Sequence, residues 1–307
     1  MTTAFVTGIS GFVGSHLSRY LLDRDWYVSG QDLRPASAIS AFYQSDLHDR
    51  AALQKALDET RPDVIFHLAG VLKSEHAEHF YTSHVLGTVA LFETIAKLGF
   101  QPKVLIASSS AVYGTGLGRR PITEGFKLRP VTQYAASKVA QEVVAMRYFT
   151  ASGLPVMCVR TFNLLGPGLS SGMSCSAFAR QIALAEQQGS SSTITTGDLS
   201  AQRDFVDVRD AVRAYVLLAE KGQLGQTYNV ASGQPVAIQE CLDFLRKQAR
   251  VPIEVVWDSA RVQNNDVPIQ IGSAKRLQEQ TGWEPETSTE QSLLDLLNDW
   301  RQRVKTE

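Results

Sequence analysis

Cysteine is scarce. Cys158, Cys175 and Cys241 are the three in 307 residues, they lie far apart, and no CxxC or zinc-type His/Cys spacing accompanies them. That excludes a disulfide-built scaffold and a structural zinc domain. It points to reduced, mostly buried thiols and a cytoplasmic location. A surplus of charge is missing too. Lys plus Arg number 30 against 31 Asp plus Glu, a formal net charge of −1, so binding nucleic acid through bulk positive charge is not expected. Long apolar runs are absent. The densest, Val64 to Leu72, holds His67 and falls far short of the roughly 20 residues that span a bilayer. The opening MTTAFVTG has no basic region and no long apolar stretch, so neither a signal peptide nor membrane attachment is expected. The six histidines form no spaced metal set, and no repeat or low-complexity tract occurs. What remains is an ordinary globular composition, 44% hydrophobic and 20% charged, in a chain long enough for two domains or one elaborated one.

The first half alternates strand and helix patterns. Strands are expected at Ala4–Val6, Tyr27–Gly30, Val64–Leu68, Lys103–Ala107 and Val156–Arg160, with a third short strand ahead of Ser45-Asp46-Leu47. Helices are expected at Gly14–Asp23, Arg50–Thr60, Gly87–Leu98 and Tyr134–Ala151. This alternation predicts an α/β fold with a doubly wound parallel sheet of Rossmann type. After Phe162 the pattern loosens. Gly166-Pro167-Gly168 and Ser190-Ser191-Ser192 mark loops, helices are expected at Ser176–Gln187, Asp207–Glu220, Gln239–Ala249 and Thr289–Val304, and a strand at Thr227–Val230. The division expected is residues 1–165 plus 204–230 for a dinucleotide-binding domain, and 166–203 plus 231–307 for a smaller mixed α/β substrate lobe.

Between the first strand and first helix stands Gly8-x-x-Gly11-Phe12-Val13-Gly14. Glycine permits the tight turn and lets backbone amides approach a pyrophosphate at the helix N-terminus. Asp32, ending the second strand, stands where a carboxylate would grip an adenosine ribose diol and repel a 2′-phosphate. Arg34 would instead pair with that phosphate. NAD(H) is therefore favoured and NADP(H) stays open. Asp46, beside Leu47, is read either as an adenine contact or as a helix N-cap. His67, inside an apolar strand, reads as a hydrogen-bonded core residue.

Ser108-Ser109-Ser110 ends a strand, and Tyr134-x-x-x-Lys138 follows on a helix. Tyr and Lys at i and i+4 share one helix face. A Lys ammonium there is expected to pull the phenol pKa down and make it an acid or base near neutrality. A serine hydroxyl at a neighbouring carboxyl strand end can hold the same substrate oxygen.

With TGISGFVG (7–14), HLAG (67–70), SSSAVYG (108–114), YAASK (134–138), RTFNLLGPG (160–168) and QRDFVDVRD (202–210), nearly the whole chain resembles the extended short-chain dehydrogenases/reductases that modify nucleotide sugars. RTFNLLGPG, FARQI (178–182), RDFVDVRDAVRAY (203–215), YNVASG (228–233), IGSAKRL (271–277) and TGWEP (281–285) are most similar to the GDP-4-keto-6-deoxy-D-mannose reductase group. The resemblance implies Tyr134 as acid/base, Lys138 as its partner and as a holder of the nicotinamide ribose, and Ser109 as the group orienting the substrate oxygen. It implies that Leu68, Ala69 and Gly70 line the cofactor path. Asn163 and Arg203 would contact the sugar nucleotide, with Arg180, Arg261 and Asp266 in the same substrate set. It also implies a homodimer joined through the helices around 87–98 and 134–151. The plain alternatives are a surface ion pair of Arg203 with Asp204 or Asp207, and a loop-capping role for Asn163.

Three departures matter. Ser110 and Ala111 follow Ser109 where related 4,6-dehydratases carry a carboxylate, so C5 deprotonation lacks a base and a dehydratase is disfavoured. Gln263-Asn264 replaces the Arg-Pro that relatives place ahead of the acid, with Arg261 nearby as a substitute diphosphate clamp. His84 takes the place of Asn in the Asn-Val-x-Gly-Thr pattern. The expected reaction is NAD(P)H-dependent reduction of the C4 ketone of a nucleoside-diphosphate 4-keto-6-deoxy sugar, GDP-linked. Its rivals are a nucleotide-sugar 4-epimerase that retains NAD, and a non-catalytic dinucleotide-responsive binding protein.

Overall fold

In a computed structural model, residues 1–36, 39–115, 118–261 and 267–306 are described, all but the Arg261 side chain. The first half runs β1 (Thr3–Thr7), α1 (Phe12–Leu22), β2 (Tyr27–Asp32), β3 (Ala41–Gln44), α2 (Arg50–Thr60), β4 (Val64–His67), α3 (Ala77–Tyr81), α4 (Gly87–Leu98), β5 (Lys103–Ser109), α5 (Gln133–Ser152) and β6 (Val156–Thr161). The second runs β7 (Asn163–Leu165), α6 (Ser174–Gln188), β8 (Ser192–Thr196), β9 (Gln202–Asp207), α7 (Val208–Lys221), β10 (Thr227–Val230), β11 (Pro235–Ala237), α8 (Ile238–Lys247), β12 (Ile253–Trp257), β13 (Ile269–Gln270), α9 (Lys275–Thr281) and α10 (Thr289–Arg303).

Seven strands form one parallel sheet in the order β3-β2-β1-β4-β5-β6-β10. Apolar side chains on both faces of these strands require helices on both sides. Leu17 and Leu21 of α1, the apolar face of α7, and Leu277 and Trp283 at α9 fill one side. Leu53 and Leu57 of α2, Leu91, Phe92 and Ile95 of α4, and Ala145 and Tyr148 of α5 fill the other. A separate cluster joins α6, α8 and α10 through Ile182, Leu242, Leu245, Leu296 and Trp300. Trp283 therefore packs with the sheet, its indole N–H donating to the Asp210 carbonyl at 3.0 Å, although it lies late in the chain. Among the described residues no helix is long and apolar enough to cross a membrane.

The order of strand addition reverses between β1 and β4. The two strands stay paired to their last residues, Thr7 and His67, but α1 after β1 and α4 after β4 pack on opposite faces, and the crevice between those connections is the usual ligand position in such sheets. Beside it, β6 carries the buried Arg160, clamped to Glu142 of α5 by hydrogen bonds of 2.9 and 2.7 Å. The pair fixes α5, and so Tyr134 and Lys138, against the sheet.

Candidate active site

A cavity of about 660 Å³ runs from the glycine turn past the ends of β4, β5 and β6 to Asn163 and Arg203. At its near end Gly8 has φ +73°, and a Cβ there would stand 2.9 Å from the Ala69 backbone. A Cβ on Gly14 would sit 2.3 Å from the Gly8 carbonyl oxygen. Only glycine permits this closeness of β1, α1 and the loop after β4. Gly11 caps α1 with no side chain over the first amides, which leaves the N–H groups of Phe12 and Val13 available to an anion. Asp32 is anchored to the same turn: its carboxylate accepts from the amides of Ser10 at 3.0 Å and Arg34 at 3.2 Å. This cradle fits a dinucleotide phosphate and its adenosine ribose.

Asp46 does not cap α2. Asp49 does, accepting from the Ala52 amide at 3.0 Å. The Asp46 carboxylate instead holds the amide and Nδ1 of His48, which lowers its pKa. Leu47 packs against Gly87 at the start of α4. His67 is a core residue as expected, with Nδ1 2.8 Å from Thr7 Oγ1 and Nε2 3.0 Å from Thr88 Oγ1. Burial drives its pKa down to about 3.

Of the three serines ending β5, the structure separates one. The Ser108 hydroxyl donates to Glu142, and that of Ser110 to Gln270 at 3.2 Å. Ser109, half-buried where its neighbours are buried, accepts from the Ala111 amide at 3.2 Å and lines the cavity with Tyr134, whose pKa it lowers. Thr132 caps α5 by accepting from the Ala135 amide at 3.1 Å, which sets Tyr134 in the first turn. Lys138 follows one turn later, its ammonium donating to the Ala107 carbonyl at 2.8 Å and to Gln141 Oε1 at 3.0 Å.

The expected effect of Lys138 on the phenol is corrected here. Burial raises the Tyr134 pKa, Ser109 opposes the rise, and Lys138 is not among the causes. The ammonium is committed to a carbonyl and an amide oxygen. It is itself pulled down to about 8 by burial, with Glu142 opposing.

On the far wall, Asn163 Nδ2 donates to the Asp204 carbonyl at 3.2 Å, and Arg203 Nη1 to the carbonyls of Gln202 and Val267. The carboxylates weighed as ion-pair partners for Arg203 are committed elsewhere. Asp204 takes the amides of Ser232, Gly233 and Gly272, and Asp207 binds Arg209. Arg180 lies on α6 with its guanidinium 5.8 Å from the centroid of the Trp300 ring. Asp266, Gln263, Asn264 and the Arg261 side chain fall outside the described residues. Two wall residues had no local signal. Tyr215 of α7 meets Thr161 at 2.6 Å, and Gln270 ties β13 to Ser110.

The chain is 35% identical to the GDP-6-deoxy-D-mannose reductase of Pseudomonas aeruginosa over 99% of its own length and 98% of the relative's. The solved structure of RMD from Pseudomonas aeruginosa complexed with NADPH superposes with a TM-score of 0.89, at 34% identity, covering 99% of this chain and all of that one. The UDP-glucose 4-epimerase of Thermus thermophilus, in complex with NAD, gives 0.85 at 25% identity, covering 98% and 99%. Both nicotinamide cofactors thus occur among chains of this fold. Residues 4–231 match the model of one family along the sheet, the glycine turn and the Ser-Tyr-Lys site. The chain belongs to the NAD dependent epimerase/dehydratase family.

Proposed function

We propose that the protein reduces the C4 ketone of a GDP-linked 4-keto-6-deoxy sugar at the expense of NAD(P)H. The observation that carries this reading is the convergence of Ser109, Tyr134 and Lys138 on one cavity wall, with Lys138 one helical turn from Tyr134. The bound dinucleotide would supply the hydride received by C4. The phenol of Tyr134 gives its proton to the ketone oxygen, so the carbonyl becomes a secondary alcohol. A pKa raised by burial keeps that proton in place at neutral pH, the state an acid needs. Ser109 holds the same oxygen during the transfer, and Lys138, one helical turn on, holds the nicotinamide ribose. Asn163 and Arg203 bind the sugar nucleotide, Arg203 at the diphosphate. Residues 1–165 with 204–230 serve the dinucleotide, and 166–203 with 231–307 the sugar, apart from α9 and Trp283, which pack on the dinucleotide sheet.

The test is to offer GDP-4-keto-6-deoxy-mannose with NADH or NADPH. One cofactor oxidised per sugar reduced supports the reading. The second reading, a 4-epimerase with retained NAD, draws on the same three side chains and on the likeness to the Thermus epimerase. It predicts co-purifying NAD and no net oxidation. The protein is further read as a cytoplasmic homodimer through α4 and α5, since Leu86 (54% exposed) and Val143 (64%) leave apolar surface uncovered there. Sedimentation at micromolar concentration tests the dimer.

A further inference from the structure

We propose that His84 is a positioning residue for the cofactor, its Nε2 accepting a hydrogen bond from a hydroxyl of the dinucleotide's nicotinamide-side ribose above Gly70. The inference rests on the dinucleotide reading of the site and assigns this chain's own histidine a part in it. His84 is fully buried, yet its ring lies in the cavity wall. It sits on a π-helical turn, Thr82–Leu86, wedged between α3 and α4. Single π turns widen the helix by one residue and are frequent at functional sites.

The tautomer follows from the neighbours. Nδ1 lies 2.8 Å from the Ser137 hydroxyl oxygen, and that hydroxyl lies 2.8 Å from the Tyr134 carbonyl oxygen. A carbonyl only accepts, so the single Ser137 proton goes to it. The Ser137 oxygen must then receive the Nδ1–H of His84. Nε2 is left as a bare lone pair. Burial, with Lys138 and His67 nearby, depresses the pKa to about 2 and keeps the ring neutral.

That lone pair has no partner among the described residues. Unmatched buried acceptors are costly and rare. It lies against Gly70, in the space a side chain there would fill, and Gly70, His84 and Lys138 all line the cavity. A Cβ on Gly70 would stand 2.6 Å from Nε2 and 3.6 Å from the Lys138 ammonium. Above Gly70, then, a neutral acceptor and a cationic donor converge from two elements. A hydroxyl satisfies both at once, donating to His84 and accepting from Lys138. Ribose is the part of a dinucleotide that brings hydroxyls. The Asn implied at this position by the resemblance ends short of the point that Nε2 reaches.

The test reads binding and needs no sugar substrate. NADPH, ADP-ribose and ADP are titrated by calorimetry into wild type, His84→Leu and His84→Gln. ADP-ribose carries the distal ribose and ADP lacks it, so their affinity ratio isolates that sugar. His84→Leu should weaken NADPH and ADP-ribose by about five- to tenfold and leave ADP unchanged. His84→Gln, whose amide oxygen reaches the Nε2 position, should recover most of the loss. A purely structural role would weaken all three ligands alike and would not be rescued by Gln. An ADP-ribose to ADP ratio unchanged in His84→Leu, or an equal loss for both, overturns the inference and leaves the dinucleotide reading standing. Wild type that binds neither NADPH nor ADP-ribose overturns both.

Discussion

Tyr134 and Lys138 share one helix face but are held by different partners, and their chemistry diverges accordingly. The phenol is buried, which raises its pKa and keeps its proton in place. The amine leans on Ala107 and Gln141 and titrates near 8. Tyr134→Phe should reduce turnover by about 10²–10⁴-fold and leave NAD(P)H affinity nearly unchanged, as steady-state kinetics and a binding titration will check. Lys138 is cationic below its folded pKa and loses its charge as pH rises through about 8. Turnover should therefore fall above pH 8 in wild type, and in Lys138→Arg the basic limb should move upward, since a guanidinium stays charged. Identical limbs in the two proteins would show that another group sets the profile. Cofactor choice is a residue-scale matter as well. Asp32 is fixed to the turn by two amides, whereas Arg34 is solvent-exposed. NADH should give the higher kcat/KM, and Asp32→Ala should narrow or invert the ratio. A hundredfold wild-type preference for NADPH would contradict the weight given to Asp32.

Elements are positioned by a few close contacts. Gly14 is such a point. With the Gly8 and Ile9 carbonyl oxygens 2.3 and 2.7 Å from its notional Cβ, Gly14→Ala must push α1 off the turn. It should lose about 1–3 kcal/mol of stability in urea unfolding and weaken dinucleotide binding. The Arg160–Glu142 pair is another. Removing one partner strands a buried charge, so Glu142→Ala should cost about 3–5 kcal/mol in the same measurement. These contacts also explain what the sequence disclosed. The bounds of α2, α4 and β10 are those expected, with Asp49 capping the start of α2 and Gly99, in the left-handed region, ending α4. α1 starts two residues earlier than Gly14, since the extended Gly11 is its cap. The π turn at Thr82–Leu86 was not legible because the five-residue α3 ahead of it, Ala77–Tyr81, is too short to show a hydrophobic period. The short β7, β11 and β13 are held by pairing with β9 rather than by local preference.

At the scale of the whole molecule, the sheet and the Ser-Tyr-Lys site were legible, because both rest on short motifs with fixed geometry. The resemblance singled out Ser109 among its neighbours, and the structure adds that Glu142 and Gln270 occupy the other two hydroxyls. The direction of the Tyr134 shift was not legible, because it depends on how deeply the assembled cavity buries the phenol. Nor was the place of Trp283, which a contact from α7 decides. The central claim is net reduction at a sugar C4. It is tested most directly by mixing purified protein with GDP-4-keto-6-deoxy-mannose and NADH or NADPH, following cofactor absorbance and the sugar product together. The account predicts equimolar cofactor oxidation and GDP-6-deoxyhexose formation, both reduced by about 10²–10⁴-fold in Tyr134→Phe. Interconversion of C4 epimers by protein that carries bound NAD, with no cofactor consumed, would contradict it.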